Sequence, residues 1–236
     1  MKSKAVCIFS GGLDSTVLLY SIKDEYDVYA LTFNYGQKHN KEIDCAVDIC
    51  TQHNIPHKVI DLSFFKDISK GGSALTDDAI DVPNVVDVLG LPQPPTYVPN
   101  RNMMLLSIAA SYAESIEAQK VFYGAGGDDE HSGYWDCTKE FRASINNVLN
   151  QNRLNKIEIC SPLVDMSKGE IVQLGSRLKV DFARTWTCYC GRNKACGKCP
   201  TCANRLKGFI SAGLIDPLEY EVDIPWGKFN CVEIPV

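Results

Sequence analysis

The chain has 236 residues, a formal net charge of −5 and 11 cysteines. This length fits one α/β domain with a small addition, and the acidic balance argues against a stable nucleic-acid partner. No run of about 18 apolar residues predicts a membrane span, and residues 1–4 lack the apolar core of an export signal. Many cysteines without such a signal indicate thiols and metal rather than disulfides, as expected for a cytoplasmic enzyme.

Apolar runs alternate with amphipathic segments along most of the chain. The predicted strands cover residues 5–9, 28–33, 57–62, 120–124 and 157–162. The predicted helices begin at Thr16 and, further on, cover residues 42–53, 102–113, 139–150 and 167–178. Strands that alternate with helices indicate βαβ units, so the predicted fold class is α/β with a doubly wound, Rossmann-like parallel sheet. Ligands of such folds bind at the carboxyl ends of the strands.

Two regions break this alternation. Residues 71–100 carry five prolines and few periodic signals, and a loop of that length is usually functional or mobile. We predict a lid or a partner-contact arm there, with disorder as the alternative. Residues 186–202, the cysteine segment, form the second break. We therefore predict an α/β domain over residues 1–185 and a small cysteine-containing subdomain with a tail over residues 186–236.

The segment Ser10-Gly-Gly-Leu-Asp-Ser15, the phosphate loop, lies between the first strand and the first helix. A glycine-rich turn there offers backbone N–H groups and the positive end of a helix dipole, which together hold phosphate. Asp14 beside a phosphate implies an intervening cation, which suggests Mg²⁺. The loop is neither a Walker A motif nor G-x-G-x-x-G. It resembles the SGGxDS loop of the PP-loop ATPases, of the adenine nucleotide α-hydrolase-like class, which implies ATP cleavage between the α and β phosphates.

The cysteine segment indicates a metal site. Cys196, Cys199 and Cys202 follow a C-x-x-C-x-x-C spacing, which aims thiols at one ion. A further thiol, from Cys188 or Cys190, completes a tetrahedral site of four cysteines, which suits structural Zn²⁺. An iron–sulfur cluster is the alternative. Basic residues in and after the segment offset the charge of such a centre or mark a nucleic-acid contact; they are Arg192, Lys194, Lys198, Arg205 and Lys207.

Several motifs together carry a closer resemblance, which covers nearly the whole chain. Besides the phosphate loop and the cysteine segment, they are Phe33-Asn-Tyr-Gly-Gln37 with His39, Tyr97-Val-Pro-Asn-Arg-Asn102 and Ser132-Gly-Tyr-Trp-Asp-Cys137. This combination resembles the 7-cyano-7-deazaguanine synthases, the QueC family. The resemblance implies that 7-carboxy-7-deazaguanine and ammonia are converted with ATP, through adenylated intermediates, into 7-cyano-7-deazaguanine (preQ0), a queuosine precursor. It also implies a homodimer.

The resemblance assigns residues to the nucleotide and to the metal. The implied zinc ligands are Cys188, Cys196, Cys199 and Cys202. The implied ATP-binding residues are Phe9, Ser10, Gly11, Gly12, Leu13, Asp14, Ser15, Thr16, Val17, Leu18 and Leu19. Among them Asp14 is the expected Mg²⁺ ligand. Lys168 lies in a P-L-x(4)-K-x-E-[IV] element that is similar to one of PP-loop enzymes, and we predict it as a second phosphate clamp.

The substrate contacts are predicted from chemistry. Arg101 and Asn102 open a helix after a proline-rich loop and can meet an anion. A deazaguanine presents N–H donors, so a carboxylate must face it; the candidates are Asp136, Asp128 and Asp129. His39 and His131 have no visible partner in the sequence and receive no role as bases. The alternative functions are an amide-forming variant of the same enzyme, a tRNA-modifying enzyme of the thiolation type and a zinc-stabilised binding module without catalysis.

Overall fold

The computed structural model describes residues 2–126, 133–190 and 193–226, which contain a parallel sheet of five strands. The strands are β1 (Lys4–Ile8), β2 (Asp27–Asn34), β3 (His57–Asp61), β4 (Lys120–Phe122) and β5 (Glu158–Cys160). Their order is β3-β2-β1-β4-β5, and all neighbouring pairs are parallel. The predicted α/β fold with a doubly wound parallel sheet is therefore confirmed.

Helices connect the strands at the positions that periodicity indicates. They are α1 (Leu13–Ile22), α2 (Lys41–Gln52), α3 (Phe65–Ile68), α4 (Arg101–Ser115), α5 (Lys139–Leu149), α6 (Lys168–Arg177) and α7 (Pro200–Ser211). The helices α3 and α7 are exceptions, because periodicity predicts neither of them. Within the described part of the chain, no helix has the length and apolar character needed to cross a bilayer.

The sheet separates two apolar layers. Successive side chains of a strand point to opposite faces, so Ala5 and Cys7 pack with α1, α2 and α6, whereas Val6 packs with α4 and α5. The connections that leave β1 and β4 therefore cover opposite faces of the sheet. This reversal opens a crevice at the carboxyl ends of β1 and β4, where ligands of doubly wound folds bind.

The cysteine segment is attached to the sheet layers through a close pair of helices. A Cβ atom at Gly208 of α7 would lie 2.5 Å from Lys168 Cγ, and one at Gly169 of α6 would lie 2.9 Å from Ser211 Cβ. Only glycine lets these two helices approach so closely, and the contact fixes α7 beside the first residue of α6. The domain boundary between residues 185 and 186 stays a prediction.

Residues 71–100 pack against both the sheet end and the cysteine segment. Lys38 N–H donates to Leu75 O at 3.0 Å, just after β2, and Val85 N–H donates to Lys198 O at 2.9 Å. Ala74 and Leu75 are fully buried. The segment thus joins the two parts of the molecule, and its predicted role as a lid or a partner-contact arm stays a prediction.

Arg205 of α7 has a carboxylate partner that its position in the sequence does not reveal. Its guanidinium donates to Asp216 at 2.6 and 2.9 Å, to Thr185 Oγ1 at 2.8 Å and to Phe182 O at 3.0 Å. The Arg205 and Asp216 side chains are 1% and 0% exposed. The charge of Arg205 is therefore balanced by Asp216, so this residue does not serve to offset the thiolates.

Replacing Asp216 by alanine should destabilise the protein strongly. The change leaves the buried guanidinium of Arg205 without a counter-charge, which costs about 3–5 kcal/mol when a buried ion pair is broken. Urea denaturation would measure the free energy of unfolding. The matched control is Asp48→Ala, which removes the carboxylate of an exposed pair with Arg184 and should leave the midpoint unchanged. Equal midpoints for the two variants would contradict the assignment.

Candidate active site

A cavity of about 270 Å³ lies in the crevice at the carboxyl ends of β1 and β4. The phosphate loop forms its floor, and Gly124 after β4 packs against this loop, since a Cβ at Gly124 would lie 3.2 Å from Ser15 N. The end of β2, the start of α4, Lys168 and the cysteine segment complete the wall. The predicted site residues that line this cavity are Phe9, Ser10, Gly12, Leu13, Asp14, Ser15, Arg101, Asn102 and Lys168. The predicted ATP-binding residues Val17, Leu18 and Leu19 are instead buried in the apolar core.

Hydroxyl groups brace the phosphate loop from inside. Ser10 Oγ accepts from Gly12 N–H at 3.1 Å, and it lies 3.1 Å from Ser15 Oγ. Ser15 Oγ and Thr16 Oγ1 donate to Gly12 O at 3.1 and 2.8 Å. Gly12 is the N-cap residue of α1, and no side chain of the described residues caps this helix. The first-turn N–H groups of α1 are therefore available to an anion, as a phosphate site requires.

Gly11 is required by its conformation and by its neighbours. Its φ is +82°, which favours glycine. A Cβ there would lie 2.6 Å from Ala46 N and still closer to Glu42 O, both in the backbone of α2. The phosphate loop therefore rests directly on α2, and this contact sets its position.

Replacing Gly11 by alanine should be far more damaging than the same replacement at another glycine with a positive φ. We expect ATP affinity to fall at least tenfold, which is a loss of about 1.4 kcal/mol of binding free energy. Overpacking should also lower the free energy of unfolding by about 1–3 kcal/mol. Equilibrium ATP binding and the thermal midpoint would measure both effects. Gly71→Ala is the control, because Gly71 has φ +75° and nothing within 4 Å of its Cβ position. If both variants bound ATP alike, the steric argument for Gly11 would fail.

The two predicted catalytic residues meet in an ion pair. Lys168 Nζ lies 2.8 and 2.7 Å from the carboxylate oxygens of Asp14. Lys168 is 5% exposed, and the Asp14 side chain is 23% exposed and lines the cavity. Ser167 caps α6 through a capping box with Glu170, which fixes the helix start and with it Lys168. The structure thus places one positive and one negative charge beside the phosphate loop.

The residues around Asp14 fit a magnesium ion. Asp14 and Glu42 are the carboxylates among the described residues that line the cavity. A carboxylate has about four lone-pair sites, so Asp14 can accept from Lys168 and still offer an oxygen to a cation. Mg²⁺ is commonly held by one or two carboxylates together with substrate phosphates. This role of Asp14 stays a prediction.

Arg101 and Asn102 begin α4 and line the cavity opposite the phosphate loop. Arg101 Nη1 donates to Tyr35 OH at 3.1 Å, and its guanidinium carbon lies 5.3 Å from the Tyr35 ring centroid. Burial raises the pKa of Tyr35, and the charge of Arg101 opposes that shift. Arg101 therefore presents a positive charge with neutral hydrogen-bond partners, Tyr35 and Asn102, as an anionic substrate requires.

Asp136 lies near these residues but is not among the side chains that line the cavity. It is 2% exposed, and its backbone oxygen lies 3.5 Å from Asn102 Nδ2. Burial raises the pKa of Asp136, while the charge of Arg101 opposes this. The predicted substrate contact of Asp136 stays a prediction. The other candidates, Asp128, Asp129 and His131, lie outside the described residues.

His39 has a partner that sequence reasoning missed. Its Nε2 lies 3.3 Å from Glu42 Oε1, its ring centroid lies 5.3 Å from that of Tyr189, and the residue is 2% exposed. His39 and Glu42 both line the cavity. The sequence shows that His39 and Glu42 are three residues apart at the start of a predicted helix, which brings such side chains together. It does not show that the pair is buried.

The cysteine cluster has the geometry of a tetrahedral metal site. The sulfur atoms of Cys188, Cys196, Cys199 and Cys202 lie within 4.8 Å of one another, and those of Cys196 and Cys202 are 3.9 Å apart. Zn–S bonds of about 2.3 Å in a tetrahedron place sulfurs about 3.8 Å apart. Cys196 N–H and Cys199 N–H donate to Cys188 Sγ and Cys196 Sγ at 3.3 Å.

The structure distinguishes between the two upstream thiols, Cys188 and Cys190, as the fourth member of the cysteine cluster. Cys188 belongs to the group of four, whereas Cys190 is not a member of it among the described residues. Four buried thiols with backbone N–H donors suit a closed structural site. The family resemblance implied Cys188, and the geometry agrees with it. Zinc as the metal stays a prediction.

The cysteine segment also contacts the phosphate loop. Trp186 N–H donates to Gly11 O at 3.1 Å, and Lys41 Nζ lies 3.6 Å from the Trp186 ring centroid. Thr187 and Tyr189 line the cavity. The cysteine segment is therefore part of the structure that shapes the site, although the sulfur atoms of its four clustered cysteines face one another.

Comparisons with known proteins agree with these motifs. The family model described as Queuosine biosynthesis protein QueC matches residues 4–213, which include the phosphate loop and all four clustered cysteines. A protein of Caldicellulosiruptor saccharolyticus named 7-cyano-7-deazaguanine synthase is 44% identical over 226 residues, which are 95% of this chain and 99% of that protein. A relative of the same name in Pseudoalteromonas translucida is 47% identical over 94% of this chain and 100% of that protein. Another, in Picrophilus torridus, is 46% identical over 93% of this chain and 92% of that protein. This chain belongs to the QueC family of queuosine biosynthesis proteins.

Proposed function

We propose that this chain is a 7-cyano-7-deazaguanine synthase, which converts 7-carboxy-7-deazaguanine, ammonia and ATP into the nitrile. Family membership supports this activity. The observation that carries the proposal is that one cavity joins the phosphate loop to the guanidinium of Arg101. The reaction needs that arrangement, because the phosphates of ATP and the carboxylate of the base must lie side by side.

The chemistry requires two activations. A carboxylate is a poor electrophile, because attack on it would have to expel an oxide. Adenylation turns that oxygen into part of AMP, a good leaving group, and ammonia then displaces AMP to give the amide. Adenylation of the amide oxygen allows AMP to leave again, now with loss of protons from nitrogen, and the product is the nitrile.

The protein contributes positioning and charge. We assign the phosphates to the phosphate loop and the amino end of α1, with Lys168 as the adjacent cation. Arg101 is the anchor for the substrate carboxylate. Asp14 would hold Mg²⁺, which neutralises phosphate charge when it is bound. The cluster of four cysteines would hold Zn²⁺ in a structural role, because four thiolates leave no open position.

Product analysis tests the proposal. Purified protein would receive ATP, Mg²⁺, ammonium and 7-carboxy-7-deazaguanine, and mass spectrometry would identify both the base and the nucleotide. We expect the nitrile together with AMP and pyrophosphate. Amide as the end product would favour the amide-forming variant. No change of the base, with slow loss of ATP, would overturn the proposal and direct attention to tRNA. The proposed homodimer would be measured by sedimentation, and the cytoplasmic location by cell fractionation.

A further inference from the structure

We propose that His39 is the base that accepts the proton released when ammonia becomes bonded to the activated substrate, and that Glu42 is the positioning residue of this base. The inference rests on the proposed function and deepens it, because the proposed reaction sheds protons from nitrogen in both of its halves.

The contact between His39 and Glu42 defines which ring nitrogen is basic. A carboxylate accepts hydrogen bonds, so His39 Nε2, at 3.3 Å from Glu42 Oε1, carries the hydrogen. The neutral imidazole then has its lone pair on Nδ1. A histidine whose far nitrogen is held by a carboxylate has the orientation and the tautomer of a general base.

His39 Nδ1 is buried and has no hydrogen-bond partner among the described residues. Buried polar groups are nearly always satisfied, and His39 is among the residues that line the cavity, so we assign the partner of Nδ1 to a donor on a bound ligand. Of the buried side-chain atoms without a partner in the described part of the chain, it is the one nitrogen.

The other charged groups at the cavity are unsuited to accept a proton. Lys168 is bound to Asp14, and the guanidinium of Arg101 stays protonated in proteins. Glu42 is held by His39. The ring of His39 contacts Tyr189, and Tyr189 is close enough to Arg101 for that charge to influence its pKa. His39 therefore lies one aromatic ring away from the proposed carboxylate anchor.

The proton balance of the proposed steps is complete. In the first half, the lone pair of ammonia forms the C–N bond, the C–O bond to AMP breaks with its electrons, and one N–H proton passes to His39 Nδ1. In the second half, adenylation of the amide oxygen releases one N–H proton to solvent and leaves a neutral imidate; the imidate then loses AMP and its remaining N–H proton as the C≡N bond forms, and His39 Nδ1 accepts that second proton. Between the halves His39 returns its proton to solvent.

The test separates adenylation from proton removal. Carboxylate-dependent exchange of labelled pyrophosphate into ATP, without ammonium, reports adenylation and needs no base. Amide formation with ammonium needs the base. Hydroxylamine is largely unprotonated at neutral pH and traps the adenylate as a hydroxamate, and this reaction depends less on a general base than amide formation does. The variant is His39→Asn, which keeps a polar atom near the position of Nδ1 but is not basic.

We expect His39→Asn to keep pyrophosphate exchange and hydroxamate formation within about threefold of the parent chain. Amide formation should fall about 10²- to 10⁴-fold, the usual contribution of a general base. Glu42→Gln, which leaves the imidazole of His39 in place, should also lower the rate of amide formation relative to hydroxamate formation. His53→Asn is the matched control, because His53 contacts Tyr20 at the end of α2 and does not line the cavity; it should leave all rates unchanged.

Two results would overturn the assignment. An amide rate within threefold of the parent chain would show that His39 accepts no proton. Loss of exchange and hydroxamate together with the amide, at an unchanged thermal midpoint, would show that His39 binds substrate instead. If His39→Asn does not fold, Glu42→Gln decides by the same comparison of amide with hydroxamate. Absence of exchange in the parent chain would mark failure of the proposed function itself, which the other outcomes leave intact.

Discussion

Replacing Asp14 by asparagine should lower ATP-dependent turnover by at least about 10³-fold, the upper range for removal of one electrostatic group at a reacting centre. The side chain keeps its size, so the phosphate loop keeps its shape. It loses the charge that balances Lys168 and that would attract Mg²⁺ to the phosphates. Steady-state formation of AMP would measure the loss.

Stability should fall much less than activity in this variant. Lys168 is buried, and its bond to a neutral amide is weaker than its bond to a carboxylate, which costs about 1–3 kcal/mol. Asp24→Asn is the control, since Asp24 follows the opposite end of α1 and its exposed carboxylate pairs with Lys23; its turnover should match the parent chain. Lys168→Met tests the other half of the pair and should also lose turnover. Retention of a tenth of the turnover by Asp14→Asn would remove Asp14 from the mechanism.

Replacing Cys202 by serine should remove the metal and lower the thermal midpoint by more than about 10 °C. Serine does not supply the thiolate that a four-sulfur site needs, and a structural zinc contributes on the order of 10 kcal/mol in isolated peptides. In a chain of this size each kcal/mol corresponds to about 2–4 °C. ATP affinity should fall too, because Trp186 of the cysteine segment binds Gly11 of the phosphate loop.

The matched control for this change is Cys190→Ser. Cys190 lies in the same segment and outside the cluster, so the variant should keep its metal, its midpoint and its ATP affinity. Elemental analysis would give the metal content of both variants, and a thermal scan would give the midpoints. Normal zinc content together with an unchanged midpoint in Cys202→Ser would refute the structural role of the cluster.

Local signals in the sequence were sufficient for the sheet and the phosphate loop. Apolar runs locate buried strands, and a glycine-rich turn between a strand and a helix has few other uses. The pairing of Asp14 with Lys168 was not predictable in this way, because it depends on how α1 and α6 pack. Both residues were singled out for phosphate and cation, but their direct contact came from tertiary structure.

Burial was the main quantity that sequence reasoning could not supply. His39 and Glu42 have a spacing that a helix brings together, yet the sequence does not say that the imidazole is buried on a cavity wall. Spacing allowed either Cys188 or Cys190 as a ligand, and only the folded chain shows that the Cys188 sulfur is the one grouped with those of the other three cysteines. Arg205 illustrates the same limit, because its partner Asp216 follows α7 in a segment without periodic signals.

The contact between Trp186 and Gly11 has a consequence for protein synthesis. The phosphate loop leaves the ribosome almost first, but one of its backbone oxygens finds its donor in a residue that is made much later. At about 5–20 residues per second, that delay is on the order of ten seconds or more. During this interval the nascent chain has the loop sequence without its final support. We therefore expect the phosphate loop to reach its final conformation only after the cysteine segment has left the ribosome.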